Sequence, residues 1–333
     1  MFQKVLCTLT PNRRPRRIGA IILGPGASDM PLDYMDRVRR GLVLYDGAMG
    51  TMLFAQGLLD GESPEPWNWE RPDVVTAIYR GYYEAGSDVV QTNTFGGTPI
   101  KLSERDLQER THDANQLAAQ AARAVCPQGG FVAGNIGPIG KFLQPMGEYT
   151  KEEFQQNFEA QVLGLADGGV DLISIETMYC LDEAVSAVRA SKKLTKLPVS
   201  VCMTFDKNPR GFFTLMGETP AKCMEVLGAE GADIVGSNCS HGSPVFIDLT
   251  KILRDSTDLP VIVQPNRGRP TLEGGAVIYK QTAEEFVADM RTIVGLGVNV
   301  IGGCCGTDPT FIAGLRTAFA DHFPAPVPAG ARP

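Results

Sequence analysis

Between residues 42 and 301 a short apolar run recurs eight times, each ending in a polar or glycine-rich cluster. The runs are 42–45, 88–91, 131–133, 172–175, 199–203, 234–235, 261–263 and 298–301. Amphipathic helical stretches lie between them, at 72–85, 109–125, 152–168, 181–193, 220–228, 245–256 and 283–295. Strands that alternate with helices imply right-handed βαβ units and a parallel sheet. Eight such units predict an α/β chain folded as a single-domain (β/α)8 TIM barrel. A doubly wound sheet is the competing architecture, but no glycine-rich dinucleotide fingerprint follows the first run.

Composition narrows the possibilities around that frame. The chain has 333 residues, 43% hydrophobic and 21% charged, which is enough to build a large core. The net charge of −7 argues against nucleic acid as a partner. No apolar run approaches the length of a membrane span. Charge is unevenly placed: residues 1–40 carry +5, from Lys4 and an arginine cluster around Arg13–Arg17, and the remainder carries −12. The expected organisation is a poorly ordered basic extension over 1–40, the barrel over 41–320, and a Pro/Ala-rich tail over 321–333. The apolar stretch at 20–23 is too short for a signal peptide and breaks at Gly24-Pro25-Gly26. Eight cysteines without regular spacing are no disulfide framework. They fit a reducing cytoplasm, with metal or core roles. No subunit interface is legible in one chain.

In a barrel of this kind chemistry gathers where strands end. The last run ends in Gly302-Gly303-Cys304-Cys305-Gly306-Thr307-Asp308-Pro309, two adjacent thiols at the start of a helix that Thr307 or Asp308 can cap and Pro309 can open. Adjacent cysteines pair with each other only under strain. As thiolates they suit a soft metal once a third ligand arrives. Cys239 ends the sixth run, and strands six and eight flank strand seven, so Cys239, Cys304 and Cys305 can converge. Three thiolates with one open position describe a catalytic rather than a structural zinc site. His241, two residues past Cys239, is a weaker rival ligand, and His112 and His322 read as helix-surface residues.

Two more strand ends carry polar groups suited to an α-amino acid. Asp46-Gly47-Ala48-Met49-Gly50-Thr51 is a glycine-spaced turn whose free amides suit a carboxylate. Glu176 follows an apolar strand, where a carboxylate needs a cation or several donors. A substrate ammonium would serve.

These motifs resemble the homocysteine S-methyltransferase family, most nearly the homocysteine-binding barrel of cobalamin-dependent methionine synthases. The resemblance rests on Asp46–Thr51, Thr92-Asn93-Thr94-Phe95-Gly96-Gly97, Gly134-Asn135-Ile136-Gly137-Pro138-Ile139-Gly140, Glu176-Thr177 with Glu183-Ala184, Gly236-Ser237-Asn238-Cys239, Gln264-Pro265-Asn266 and Gly302–Thr307. It spans about residues 40–318. The resemblance implies that zinc is held by Cys239, Cys304 and Cys305, with the homocysteine sulfur as fourth ligand. It implies that Glu176 and Asp46 bind the amino group and the amides of Gly47–Thr51 bind the carboxylate. Met49, Gly50, Asn93 and Asn238 join the expected substrate-binding set.

The resemblance leaves the methyl donor open. The synthases continue into folate, cobalamin and reactivation modules, which this sequence does not show, so the expected donor is a methyl-corrinoid (methylcobalamin on a partner protein). One alternative is direct use of a small onium donor, S-methylmethionine or betaine, with Trp67, Trp69, Tyr79, Tyr82 and Tyr83 as aromatic pocket candidates. Others are a barrel that works in reverse and a non-catalytic homocysteine- and zinc-binding subunit. No Ser-His-Asp or Cys-His constellation points to another chemistry.

Overall fold

The computed structural model describes residues 33–269, 271–273 and 276–324. Eight parallel strands form one sheet: β1 (Val43–Leu44), β2 (Val89–Gln91), β3 (Phe131–Ile136), β4 (Leu172–Met178), β5 (Val199–Met203), β6 (Ile234–Gly242), β7 (Val261–Asn266) and β8 (Val300–Ile301). Each pairs with its sequence neighbour from β2 round to β8, and β8 pairs with β1. The result is a nearly closed (β/α)8 barrel, as the alternation predicted.

The seam between β1 and β2 is closed mainly by side chains. The Leu44 N–H donates to Asp88 Oδ2 (2.9 Å), the Asp88 N–H to the Leu44 carbonyl (2.7 Å), and the Gln91 N–H to Asp46 Oδ2 (2.7 Å). Asp88 belongs to a device repeated before every even strand, Gly-x-Asp or Gly-x-Asn. Gly86, Gly169, Gly231 and Gly297 take left-handed backbone, at φ from 83° to 101°. Two residues on, Asp88, Asp171, Asp233 and Asn299 each accept a bond from the first or second amide of the preceding odd strand: Leu44, Val132, Val199 and Val261. The side chain supplies an acceptor where the strand end would otherwise leave a buried N–H unpaired.

The helices start where local chemistry says they should. Thr150 with Glu153 and Thr282 with Glu285 form capping boxes for Lys151–Asp167 and Ala283–Gly295. Asp308, not Thr307, caps Pro309–Ala318 by accepting from Thr310 N at 2.8 Å.

Strand parity divides the interior. Outward residues such as Ile173, Val201, Val235 and Ile301 pack with the helices in the main core. Inward residues low in the barrel (Val43, Phe131, Leu172, Ile234, Ile262, Val300) form a separate apolar cluster. Continuing inward along the same faces the residues turn polar: Gln91, Asn135, Ser174 and Glu176, Asn238, Gln264.

The structure differs from expectation in three places. The extension was expected to run to residue 40, but Tyr34–Arg40 is a helix that belongs to the barrel. Tyr34 sits in the inward cluster, edge-on to Phe131, and buried Arg37 binds Asp88 Oδ2 at 2.8 Å. Asp33 caps this helix and its apolar face fills the barrel's lower end, which is why it does not stay loose. Residues 1–32 and 325–333 lie outside the described residues, and a short 3-10 turn, Ala320–His322, spans the start of the expected tail. Second, β3, β4, β6 and β7 extend three to seven residues past the apolar runs, into the clusters read as loops. Third, two hairpins stand on the mouth, Asp206–Asn208 with Gly211–Phe213 after β5 and Thr271–Glu273 with Ala276–Ile278 after β7.

Candidate metal and substrate site

Two irregularities in the sheet build the centre of the site. The β4–β5 register shifts between Ile175 and Met178, and the β6–β7 register shifts between Asn238 and Gly242. Thr177 at the first, and Cys239 and Ser240 at the second, take left-handed backbone, φ 61°, 61° and 58°. Residues other than glycine adopt this region at a cost of about 1 kcal/mol or more, and bulges of this kind re-aim side chains beside active sites. Asn238 ties the two together. Its Oδ1 accepts from Thr177 N (2.8 Å), and its Nδ2 lies 2.8 Å from Glu176 Oε2, 2.9 Å from Thr177 Oγ1 and 3.6 Å from Cys304 Sγ.

The kinked backbone at Cys239 brings its sulfur to 3.8 Å from Cys305 Sγ. The three sulfurs of Cys239, Cys304 and Cys305 all lie within 4.8 Å of one another, the one such cluster of potential metal ligands among the described residues. Zn–S bonds of ~2.3 Å in tetrahedral geometry put ligand sulfurs about 3.8 Å apart. The Cys239–Cys305 spacing already matches, and with all three sulfurs inside 4.8 Å the thiols suit zinc. The S–H groups of Cys304 and Cys305 directed at Cys239 hold its thiol below the ordinary range, and the same hydrogen bonds, with burial, push theirs up. His241 is not part of the cluster: its Nε2 accepts from Lys207 N (3.3 Å) in the hairpin after β5.

The thiol loop is pinned from all sides. Cys304 N donates to the Pro265 carbonyl (2.9 Å), the Cys305 carbonyl accepts from Arg267 N (2.9 Å), and Gly303 N donates to the Asp46 carbonyl (3.0 Å). The expected substrate turn is its direct neighbour. Thr51 Oγ1 accepts from Gly306 N at 3.1 Å, and Ala48 N donates to the Thr307 carbonyl at 3.0 Å. A side chain at Gly47 would put its Cβ 2.7 Å from Thr307 Oγ1 and 2.8 Å from the Thr307 carbonyl, so this close approach admits only glycine. Met49 and Gly50 open the helix Met49–Ala55, whose first amides have no acceptor within the helix.

Glu176 hangs between two amides, with Asn135 Nδ2 on Oε1 and Asn238 Nδ2 on Oε2, both at 2.8 Å. Burial, with a contribution from Cys239, raises its carboxyl to about 7 against the lowering effect of Asn135. Asp46 is also pushed well up by burial, and it doubles as the seam acceptor for Gln91 N. Asn135 carried no role in the sequence reading, although it stands at a strand end beside Gly134. The structure gives it to Glu176.

Other expected residues point elsewhere. The Asn93 side chain donates to the Pro64 carbonyl (2.8 Å) and Asn68 Oδ1 (2.9 Å), which holds the segment before Trp67. The aromatic candidates for an onium pocket are committed to packing. Trp67, Tyr79, Tyr82 and Tyr83 belong to the main core. Tyr79 OH accepts from Asn93 N, while Tyr82 and Tyr83 donate to the Ala48 and Phe131 carbonyls. Trp69 lies under the Arg110 guanidinium at 4.1 Å. Tyr279, unmarked in the sequence, lays its ring against Gly306 beside Cys305.

The chain is 31% identical over 308 residues to methionine synthase of Mycobacterium tuberculosis, covering 87% of this chain and 25% of that protein. It is 30% identical over 319 residues to methionine synthase of Mycobacterium leprae, covering 90% and 26%. It thus spans about a quarter of the length of these relatives. Its fold matches the metallated form of the Escherichia coli homocysteine methyltransferase MmuM, with TM-score 0.71, 23% identity, and coverage of 84% of this chain and 96% of that one. The oxidized form of the same protein matches with TM-score 0.70 and 24% identity, covering 83% and 95%. A homocysteine S-methyltransferase profile matches residues 43–319, and by that match and its methionine synthase relatives the chain belongs to the homocysteine S-methyltransferase family.

Proposed function

We propose that this chain is a zinc-dependent methyltransferase that accepts a methyl group onto the sulfur of homocysteine and forms methionine. The observation that carries this reading is the thiol triad, its sulfurs within 4.8 Å of one another, beside a buried, doubly amide-bonded carboxylate. Cys239, Cys304 and Cys305 would hold the ion, which lowers the pKa of a substrate thiol so that thiolate exists near neutral pH. Glu176, ionised, takes the substrate ammonium, with Asp46 alongside it. The Gly47–Thr51 turn meets the carboxylate with its amides. Asn135 and Asn238 fix the Glu176 carboxylate so that the amino acid enters with its sulfur toward the triad. Ionic and dipolar contacts of this kind position substrate rather than move protons, and no base acting on carbon is needed.

The donor is read as a methyl-corrinoid carried on a separate protein. The commitment of Trp67, Tyr79, Tyr82 and Tyr83 to the core supports this, since it withdraws them from an onium pocket. A small onium donor, S-methylmethionine or betaine, is the second reading that the family resemblance leaves open. The seven described cysteines are free thiols, which supports placing the protein in the cytoplasm. Among the described residues no helix is long and apolar enough to cross a membrane.

The test is methionine formation by zinc-replete protein with homocysteine and, in turn, methylcobalamin, S-methylmethionine, betaine and S-adenosylmethionine. Slow, unsaturated turnover with methylcobalamin alone supports the corrinoid reading. Saturable turnover with one onium donor replaces it. No methionine from any donor, with homocysteine still bound, leaves a non-catalytic binding subunit.

A further inference from the structure

Two glutamines point into the barrel above its apolar layer, and they are in opposite situations. Gln91 is fully engaged: its Oε1 accepts from Ser174 Oγ at 2.8 Å and its Nε2 faces Asp46 Oδ1 at 3.5 Å. Gln264, on β7, is 1% exposed, and neither its Oε1 nor its Nε2 has a partner. A buried amide left unpaired costs about 1–3 kcal/mol per group, so such a group in a family enzyme calls for an occupant. Among the described residues, Gln264 Nε2 is the one unpartnered buried side-chain nitrogen.

Its surroundings say what the occupant is. Gln264 pairs in register with Asn238, whose amide is committed to Glu176 and Thr177. On the other side, β8 leads into Gly302. A Cβ there would lie 3.3 Å from Gln264 Cγ and 3.0 Å from the Asp46 carbonyl. Tyr45 Cβ would be nearer still, at 2.8 Å, so glycine at 302 is what lets the Gln264 stem and the Asp46 backbone approach this closely. Acceptors for an ammonium are plentiful here, with Asp46, Glu176 and three sulfurs. Side-chain donors for a carboxylate are scarce, since the Asn135 and Asn238 amides already serve Glu176.

We infer that Gln264 is a further substrate-binding residue, donating from Nε2 to the α-carboxylate of the thiol amino acid, so that the site reads the whole zwitterion. This rests on the function proposed above. Gln264 then sets specificity for thiols bearing a carboxylate and does not act on the sulfur.

The experiment is calorimetric titration of zinc-loaded wild-type and Gln264→Leu protein with three thiols: homocysteine, 4-mercaptobutyrate, which lacks the ammonium, and 3-aminopropane-1-thiol, which lacks the carboxylate. Loss of a hydrogen bond to a charged group weakens binding about ten- to a hundredfold. The expected result is that loss for homocysteine and 4-mercaptobutyrate, with the aminothiol within about twofold and zinc content unchanged. Gln264→Glu, similar in size, is the control if the leucine variant folds poorly. It sets a carboxylate against the substrate's own and loses the two acids more steeply than the aminothiol. Equal affinities in wild type and variants, or equal loss for all three thiols, overturns the inference. If the wild-type protein binds none of the thiols, the proposed function itself fails first.

Discussion

Asn238→Ala tests how the site is held together. Removing the side chain deprives Thr177 N of its 2.8 Å acceptor and Glu176 Oε2 of its 2.8 Å donor. The two losses do not weigh equally. The Thr177 amide is part-buried, and losing its acceptor costs it about 1–2 kcal/mol that it cannot escape. Glu176 can, because its carboxyl already sits at about 7. At pH 7.5, taking up a proton costs it only ~0.7 kcal/mol at 1.36 kcal/mol per pH unit. Stability should therefore fall by about 1–2 kcal/mol, almost all of it from Thr177, and by less than the sum of two orphaned groups. The cost at Glu176 appears instead as function, because a protonated Glu176 no longer attracts the substrate ammonium. Homocysteine affinity should drop at least tenfold at pH 7.5 and recover in part at pH 9. Urea denaturation of the reduced, metal-free protein measures the first effect, and calorimetry of the zinc-loaded protein at the two pH values measures the second. A stability change under 0.5 kcal/mol with unaltered affinity would refute the reasoning, since Asn238 would then not be the tie between the two bulges.

Three other outcomes are expected. Gly47→Ala forces the Thr307 carbonyl away from a Cβ at 2.8 Å and strains the Ala48–Thr307 bond, lowering stability by about 1–3 kcal/mol and raising the KM for homocysteine, read by denaturation and kinetics. Cys304→Ser should lose zinc by metal analysis and all methyl transfer while keeping its circular dichroism spectrum, and a scaffold subunit would keep its partner. Burial raises Glu183 from 4.5 to about 7, although Ile139 N donates to it at 2.7 Å. The folded state then binds more protons than the unfolded one, so this contribution is fully present below about pH 4.5 and lost as pH rises through about 7, roughly 3 kcal/mol in all. Glu183→Gln, which keeps an acceptor for Ile139, should flatten the fall in stability over that window; an unchanged profile would place the pH dependence elsewhere.

Much of this molecule is decided by its sequence. The eightfold change of period from strand to helix specifies the barrel, because an apolar run buried on both faces has few ways to be covered. The adjacent cysteines and Cys239 stand out as candidate metal ligands, because thiols at strand ends six and eight are brought to the same side of the mouth once the barrel closes. Glu176 stands out for its charge at the end of an apolar run. What local reading missed lies where hydropathy stops reporting structure. β6 continues from Val235 to Gly242 although its residues turn polar, since ladder pairing with β7 continues and the side chains face the mouth rather than a core. The Gly-x-Asp repeat before the even strands was present in the sequence, but its meaning, a carboxylate that closes the end of the neighbouring strand, needs that neighbour in place. Only the tertiary structure makes Asn238 the tie between two bulges and pairs Asn135 with Glu176. It also commits Trp67 and the three tyrosines to packing, and leaves Gln264 unpaired beside Gly302. Each of those facts is a distance between strands, and sequence spacing carries no such distance until the sheet has closed.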